Sequence, residues 1–255
     1  MANTLFVGKV YQRFDELSST NDYARDLLAK SKPPEGTVIR AAIQSAGRGQ
    51  YGSNWVSEPG KNLTLSVLFY PSWISAQAQF QLSAAIALAV RDTVSTALAT
   101  AGVRPSVKIK WPNDIYLGSR KTAGILIQNT LQRNTLQASV VGIGLNVNQT
   151  HFPETTPNAT SLALAAGRQY PLEELADSLF ECLERRYLQL KGGHVQTLWE
   201  EYHRNLLGRG EMRNFIRTGN GPFSGIIQGV RDDGCLVIKN GSREETFDVK
   251  EVRMA

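Results

Sequence analysis

The sequence predicts an α+β fold, in which a mixed β-sheet with flanking helices is followed by a small antiparallel β-barrel. Apolar residues recur at helical spacing along 76–101 and again along 171–191, between stretches of strand composition. From Gly210 onwards, short β runs are separated by tight-turn sequences such as Asp-Asp-Gly and Asn-Gly. This change from long helical segments to short β runs and tight turns divides the chain into two predicted domains, 1–206 and 207–255.

The first domain is predicted to alternate strands with helices. A strand is expected over 7–14, and capping residues at Ser18–Asn21 followed by an apolar stripe predict a helix over about 20–30. The other predicted strands are 36–44, 62–70, 107–111, 114–117, 122–129 and 136–146, and the other predicted helices are 76–101, 171–191 and 194–206. The second domain should contain four strands, over 211–218, 222–230, 234–239 and 243–250.

Composition narrows the class of protein. With 255 residues, the chain can bury one sizeable core and carry a small additional module. Cys182 and Cys235 are far apart, so they form neither a metal cluster nor a disulfide framework, which favours a reducing compartment. The N-terminal residues resemble neither a signal peptide nor a membrane span, so we expect a cytoplasmic protein with no membrane partner.

Positive charge is concentrated in one part of the chain. The net charge is +5, and between Arg104 and Lys121 five basic residues face Asp114 alone. Such a cluster suits an anionic small ligand or an acidic partner. On charge alone, a solvated basic face is an equally good interpretation.

The first segment that could carry chemistry is the glycine-rich loop Gln44–Gly52, followed by Trp55. Its three glycines within six residues let backbone N–H groups approach an anion, and Arg48 adds a bidentate donor for phosphate or carboxylate. Alone, the loop is also typical of a flexible hairpin connection.

The second segment, Lys108–Ile115, is a β run interrupted by Trp-Pro-Asn-Asp. The interruption turns polar side chains out at a strand end, where Asn113 and Asp114 offer oxygen ligands for a magnesium–nucleotide. Pro-Asn-Asp is equally a common turn. A turn, however, does not account for the flanking lysines.

In the third segment, Arg120–Ile127, Lys121 stands just ahead of a buried strand. A lysine at a strand start is usually a surface residue, but in a cleft it is a cation for carboxylate or phosphate. Gly124 interrupts an otherwise bulky run, which indicates close approach by backbone or ligand.

In the fourth segment, Val140–Asn148, alternating glycines leave one face of a strand without side chains just before Asn146. For Gly142 and Gly144 taken singly, a closely packed strand is the favoured interpretation.

Together and in this order, the motifs Ser-Thr-Asn, Gly-Arg-Gly, Lys-Trp-Pro-Asn-Asp, Lys-x-Ala-Gly-Ile-Leu and Gly-Ile-Gly-Leu-Asn resemble the biotin–protein ligase family. The resemblance extends over about the first 165 residues, and 207–255 resembles that family's SH3-like domain. It implies a class II synthetase-like core and an ATP-dependent biotin–[biotin carboxyl carrier protein] ligase. Such an enzyme activates biotin as biotinyl-5′-AMP and transfers it to a lysine of the carrier.

The resemblance also implies which residues bind each substrate. Biotin would contact Ser19, Thr20, Asn21, Gln44, Gly47, Arg48, Lys121 and Gly124. ATP and the adenylate would contact Arg48, Gln50, Trp55, Asn113, Lys121 and Asn146, with adenine stacked on Trp55. Asn113 and Asp114 would hold Mg²⁺, and Arg48 and Lys121 would be catalytic.

This reaction joins two anions, the biotin carboxylate and the α-phosphate, so positive charge must offset their repulsion. Arg48, Lys121 and Mg²⁺ would supply it, and Lys121 would align the carboxylate with the phosphate. No nucleophilic side chain is required because the carboxylate attacks directly. The sequence accordingly has no Ser/His or Cys/His arrangement.

Two departures from the family pattern sharpen the prediction. Gln50 stands where many members carry a second arginine, so Arg48 and Lys121 are expected to contribute more of the positive charge that stabilises the phosphate. The ligase pattern begins almost at once, at Val10–Asn21, so we expect a monofunctional ligase without a DNA-binding domain ahead of it. The acidic partner would then be the carrier protein of a biotin-dependent carboxylase rather than nucleic acid.

Two rival functions remain. A lipoate–protein ligase shares the fold and the chemistry, but it would be expected to carry an Arg-Arg-x-x-Gly-Gly-Gly type of loop, which this sequence lacks. A non-catalytic nucleic-acid-binding protein would interleave aromatic residues on a basic β-surface, and the sequence does not show that pattern. The sequence leaves the oligomeric state open, with a homodimer as one alternative.

Overall fold

The computed structural model describes residues 2–255, apart from the side chain of residue 51, and its larger β-sheet has seven strands. They are β1 (Tyr11–Leu17), β2 (Val38–Gln44), β3 (Leu63–Phe69), β4 (Val107–Lys110), β5 (Asp114–Leu117), β6 (Arg120–Gln132) and β7 (Thr135–Leu145). The spatial order is β1-β2-β3-β7-β6-β5-β4. The β1–β2 pair is parallel and the other pairs are antiparallel, so the sheet is mixed, as predicted.

Helices cover both faces of this sheet. They are α1 (Thr20–Lys30), α2 (Phe80–Thr100), α3 (Leu162–Ala166), α4 (Leu172–Lys191) and α5 (Val195–Arg204). α1 has the predicted bounds because the hydroxyl of Ser19 accepts a hydrogen bond from the backbone N–H of Asp22 and thereby caps the first turn.

Alternation along the strands separates the two faces of the sheet. On β3, Leu63, Leu65 and Val67 point into the main core, which α2 and α4 complete. Ser66 and Leu68 point to the opposite face, where Leu68 packs with Ala24 of α1 in a smaller cluster. The α1 face therefore buries less apolar volume and leaves room for a polar site.

The helical stretch Ala76–Thr100 is long and apolar enough to cross a membrane by length and composition. However, 67% of its most apolar window is buried inside the fold. Phe80, Leu82, Ile86 and Val90 of α2 all belong to the main core. This burial accounts for the apolar composition of the helix without a lipid environment.

A second, antiparallel sheet occupies the C-terminal part of the chain. Its strands are β8 (Met212–Arg217), β9 (Gly221–Val230), β10 (Leu236–Asn240), β11 (Arg243–Phe247) and β12 (Val252–Met254), in the order β11-β10-β9-β8-β12. The small β domain is thus confirmed, while the boundary at residue 206 stays a prediction. Phe215, Ile227 and Ile238 of this sheet join the main core, and Trp111 Nε1 donates a 2.8 Å hydrogen bond to the Gly234 carbonyl.

The beginning of the chain differs from the prediction. The first strand was expected over 7–14, yet β1 begins at Tyr11, and Val7 lies fully buried in a preceding turn. The backbone N–H groups of Leu5, Phe6 and Val7 all donate to the carboxylate of Glu184 on α4. These tertiary hydrogen bonds therefore satisfy the backbone N–H groups of the segment, which need no partner strand.

Candidate active site

A cavity of about 230 Å³ lies on the α1 face of the seven-stranded sheet. The N-terminal end of α1, the glycine-rich loop, and strands β6 and β7 enclose it. Among the predicted site residues, it brings together Ser19, Thr20, Asn21, Gln44, Arg48, Gln50, Trp55, Asn113, Asp114, Lys121 and Gly124. The four sequence segments thus converge on one place.

Alternating glycines make space in the floor of the cavity. A Cβ atom on Gly144 would lie 2.3 Å from Cε2 of Trp55, and one on Gly124 would lie 3.1 Å from Cζ3 of the same ring. A Cβ on Gly142 would lie 2.2 Å from Oδ1 of Asn21. Gly142 and Gly144 were interpreted singly as packing glycines, and the structure gives the reason: their missing side chains admit Trp55 and Asn21.

A buried polar network holds the N-terminal end of α1 against the sheet. The Gln44 side-chain carbonyl accepts from the backbone N–H of Thr20 at 2.8 Å, and the Ser66 hydroxyl lies 2.6 Å from Oδ1 of Asn21. The Asn21 amide in turn donates to Oε1 of Gln128 at 3.2 Å. This network fixes the side chains of the Ser-Thr-Asn motif before any ligand arrives.

The glycine-rich loop folds back on itself so that its two arms nearly touch. The backbone N–H of Trp55 donates to the Gly47 carbonyl at 2.9 Å, and a Cβ on Gly47 would lie only 2.5 Å from the Trp55 carbonyl oxygen. Gly47 does not line the cavity directly, so its contribution is to bring Trp55 over the sheet. Arg48 projects from this loop, and its Nε lies 2.9 Å from Oδ2 of Asp22 on α1.

The second predicted cation is also held by a carboxylate. Lys121 Nζ lies 2.6 Å from Oδ1 of Asp114 and 5.7 Å from the centroid of the Trp55 ring. Gly124 lies directly opposite Asp114 in the β5–β6 register, and the missing side chain leaves room for the lysine chain to cross. Arg48 and Lys121 therefore both border the cavity as paired, pre-positioned cations.

A second cavity, of about 200 Å³, adjoins the first at Trp55. Trp55 and Lys121 line both cavities, whereas Asn146 and Tyr116 line only the second. Asn146 is 3% exposed; its Nδ2 donates to the Thr160 carbonyl, while its Oδ1 and the indole Nε1 of Trp55 have no hydrogen-bond partner among residues 2–255. Two buried polar atoms of residues that line the second cavity are thus without a partner in the described chain.

Burial raises the pKa of Tyr116, and the nearby Asp114 carboxylate raises it further. The phenol therefore stays protonated at neutral pH. Its oxygen accepts from Lys110 Nζ at 3.3 Å. The second cavity thus has a neutral polar wall beside one cation, which suits the mixed polar and apolar character of a nucleotide base and sugar.

Comparison with known families decides what kind of protein carries this geometry. The profile of the biotin/lipoate A/B protein ligase family matches residues 13–146, which contain the first three motif segments and the fourth as far as Asn146. The chain belongs to this family. The match also includes β2 to β7 and all but the first two residues of β1, the sheet on which both cavities are built.

Individual ligases of this family align with nearly the whole chain. The chain is 37% identical to the bifunctional ligase/repressor BirA of Bacillus subtilis, over 88% of this chain and 68% of that protein. It is 31% identical to the biotin–[acetyl-CoA-carboxylase] ligase of Mycobacterium tuberculosis, over 96% of this chain and 90% of that protein. The biotin protein ligase from Aquifex aeolicus in complex with biotin and ATP superposes with a TM-score of 0.78 at 25% identity, covering 97% of this chain and all of that one (100%).

Three contributors to the ligase site were missed in the sequence. Asp22 pairs with Arg48, Ser66 joins the Thr20–Asn21 network, and Gln128 accepts from Asn21. Ser66 had a signal, because it is the polar residue at the centre of the apolar strand Leu63–Phe69. Asp22 and Gln128 carry no such signal, since only the docking of α1 brings them to the site.

The predicted magnesium ligands fit an ion that arrives with the nucleotide. Among residues 2–255, no group of three His, Cys, Asp or Glu side chains is arranged to hold a metal. Asp114 is the one carboxylate that lines the first cavity in the described chain, and the Asn113 amide N–H donates to the Ile125 carbonyl. Mg²⁺ is commonly held by one or two carboxylates together with substrate phosphates, and this donor set matches that arrangement.

Proposed function

We propose that the chain is a biotin–protein ligase, which condenses biotin with ATP to biotinyl-5′-AMP and pyrophosphate, and then transfers the biotinyl group to a lysine of a biotin carboxyl carrier protein. The observation that carries the proposal is the position of Lys121, which lines both cavities at the edge of Trp55. A carboxylate in the first cavity and a nucleotide in the second would meet at its ammonium group.

In this proposal, biotin occupies the cavity at the α1 end. The Ser19–Asn21 segment and Gln44 supply buried hydrogen-bonding groups for its ureido ring, and Gly142 and Gly144 leave room above the sheet. The names of the relatives favour biotin over lipoate, because the M. tuberculosis and Aquifex proteins are both called biotin ligases. The polar network likewise suits a ring that both donates and accepts hydrogen bonds.

Activation of the carboxylate uses charge rather than a nucleophilic side chain. A biotin carboxylate oxygen attacks the α-phosphorus, and pyrophosphate leaves with the electron pair of the broken P–O bond. Arg48 and Lys121 would exchange their carboxylate partners, Asp22 and Asp114, for the substrate anions. Asp114 and Asn113 would hold Mg²⁺, which would supply additional positive charge for the phosphates.

Transfer requires that the adenylate survive until the acceptor lysine arrives. Trp55 and the folded-back loop Gly47–Trp55 cover the sheet at the junction of the cavities and would exclude water from the mixed anhydride. The acceptor amine then attacks the biotinyl carbonyl and AMP leaves, which forms an amide. The carrier expected from the relatives' names is that of acetyl-CoA carboxylase.

The direct test is substrate-dependent exchange of labelled pyrophosphate into ATP. We expect exchange with biotin and at most a trace with lipoate. Rapid exchange with lipoate and none with biotin would assign the chain to the other branch of its family. Exchange with neither acid would contradict an adenylating function.

A prediction for nucleotide selectivity concerns Asn146. Its unpartnered Oδ1 can accept from the exocyclic amino group of adenine but would face the O6 carbonyl of guanine. We expect Asn146→Ala to lower kcat/KM for ATP by about 10–100-fold and to narrow the preference for ATP over GTP, since leaving the buried adenine amino group without its acceptor costs about 1–3 kcal/mol. Initial rates of pyrophosphate release with each nucleotide measure both effects.

Asn148→Ala is the matched control for this prediction. The Asn148 side chain also donates to a backbone carbonyl, that of Tyr170, at 2.8 Å, but it lines neither cavity. Its loss should lower stability without changing the ATP/GTP ratio. An unchanged ratio in Asn146→Ala would remove Asn146 from adenine recognition.

A further inference from the structure

Two lysines of the basic run Arg104–Lys121 line different cavities. Lys121 belongs to the active site, whereas Lys108 lines a separate groove of about 570 Å³ where α5 leads into the C-terminal sheet. Arg204, Arg209 and Arg213 line the same groove. The adenylation chemistry does not use this second set of cations.

Most of the positive charge in this groove is not neutralised by the protein. Lys108 Nζ donates to the backbone carbonyl of Arg204 at 3.1 Å, and Arg209 Nε donates to that of Gln228 at 2.8 Å. Arg213 is the exception, because it pairs with Glu211. Within residues 2–255, no carboxylate forms an ion pair with Lys108, Arg204 or Arg209, so these three leave a net positive surface.

The remaining titratable group of the groove is His203. Burial lowers its pKa, and its Nε2 accepts from the Val230 N–H at 2.9 Å, so the ring is neutral at pH 7. The ring also stacks on Trp199, with centroids 5.3 Å apart. The positive charge of the groove therefore rests on lysine and arginine and persists over the physiological pH range.

The groove lies close to the reaction centre. Lys108 and Lys110 are two residues apart on β4 and face the same side of the sheet, about 7 Å apart. Lys110 is directly opposite Asp114, the partner of Lys121. The backbone of Asn205 and Leu207 pairs with Ile109, so the groove is attached to the outer edge of the sheet that carries the site.

We propose that this groove, lined by Lys108, Arg204 and Arg209, docks an acidic surface of the carrier protein and thereby presents its acceptor lysine to the adenylate. The inference rests on the proposed ligase function, which requires a protein partner within a lysine side chain's reach of Lys121. Three cations without carboxylate partners, at the edge of the sheet that carries the site, provide the electrostatic complement.

The composition of the groove favours a protein over a nucleic acid. No phenylalanine, tyrosine or tryptophan appears in the described lining, whereas single-stranded nucleic acids are usually bound by stacking on aromatic rings. Leu206, Leu207 and Ile227 supply short apolar walls between the cations. A groove of this kind accommodates a few acidic side chains and a short apolar contact.

The test separates docking from chemistry by comparing two acceptors. The variant Arg204→Glu/Arg209→Glu changes two exposed cations, and Lys9→Glu/Lys32→Glu makes the same charge change near the opposite edge of the sheet. Each is assayed for biotin-dependent pyrophosphate exchange, transfer to hydroxylamine, and transfer to the carrier domain of an acetyl-CoA carboxylase. Hydroxylamine reacts with the adenylate without docking.

We expect Arg204→Glu/Arg209→Glu to keep exchange and hydroxylamine transfer within about twofold of the parent while kcat/KM for the carrier domain falls by about tenfold at low salt. The deficit should shrink as ionic strength rises. The Lys9→Glu/Lys32→Glu control should match the parent in all three assays.

Carrier transfer that is equal in the two variants, with exchange intact, would overturn the docking role alone. A parent protein without biotin-dependent exchange would overturn the ligase function and the docking role with it. Binding of a single-stranded oligonucleotide that Arg204→Glu/Arg209→Glu abolishes, with carrier transfer unchanged, would assign the groove to nucleic acid instead.

Discussion

Lys121→Ala is expected to reduce biotin-dependent adenylate formation by about 10²–10³-fold, the usual cost of removing one donor that stabilises transition-state charge. Lys121 Nζ is the cation that borders both cavities, so its loss leaves the carboxylate and the phosphate without a shared counter-charge. Single-turnover formation of biotinyl-5′-AMP measures this step apart from transfer. Arg120→Ala is the neighbouring control, because Arg120 is exposed and lines neither cavity; it should retain nearly the parent rate.

Lys121→Ala also leaves the carboxylate of Asp114 without its partner. A double variant separates this effect from the loss of the ammonium group itself. In Lys121→Ala, Asp114 loses its partner at 2.6 Å and would repel both anionic substrates. If that repulsion caused the whole defect, Asp114→Asn would raise the activity of Lys121→Ala to that of Asp114→Asn alone, which also lacks the carboxylate assigned to Mg²⁺. We expect little restoration, because the ammonium group is needed at the reacting oxygens themselves. A double variant as active as Asp114→Asn alone would reassign Lys121 to charge balance.

Local signals explain why much of the fold could be predicted from the sequence. α1 has the predicted bounds because the Ser19 cap lies within the segment itself, and α2 is recognisable from its apolar spacing. β12 was missed because only three residues pair with β8, and α3 was missed because it has only five. Short elements of this kind are held by tertiary contacts rather than by propensity.

The candidate site was predicted residue by residue but without its internal pairing. The motifs indicated Arg48 and Lys121 as cations, yet their carboxylate partners follow from the docking of α1 on the loop and from the β5–β6 register. The two-cavity arrangement likewise depends on Trp55 lying across Gly144, which joins residues far apart in sequence. Family motifs therefore predict the members of a site better than the contacts among them.

The close contact between Trp55 and the sheet leads to the second large effect. Gly144→Ala places a Cβ atom where Cε2 of the indole would be 2.3 Å away, so the ring must lift from the sheet. We expect the free energy of unfolding to fall by about 1–3 kcal/mol, as for other overpacked sites. Because Trp55 lines both cavities, KM for ATP should also rise by about tenfold or more, for a loss of about 1.4 kcal/mol in nucleotide binding. Thermal unfolding and ATP titration of adenylate formation measure the two effects.

Gly124→Ala and the double variant Gly144→Ala/Trp55→Ala show whether the defect of Gly144→Ala comes from its clash with the indole ring. A Cβ on Gly124 would lie 3.1 Å from the same ring, a distance that a small shift of the ring can relieve, so this variant should cost much less stability. The same Cβ would lie 3.3 Å from Lys121 Nζ, so the comparison is made on stability and not on activity. In the Trp55→Ala background the clash partner is absent, and Gly144→Ala should then cost almost no stability, which gives a large coupling energy in the double-mutant cycle. Nucleotide binding should stay weak in that double variant, because the stacking surface is gone while the strand is relaxed. If Gly144→Ala lowers the free energy of unfolding equally with and without Trp55, the backbone of β7 requires glycine at this position. The placement of the Trp55 indole would then not depend on Gly144.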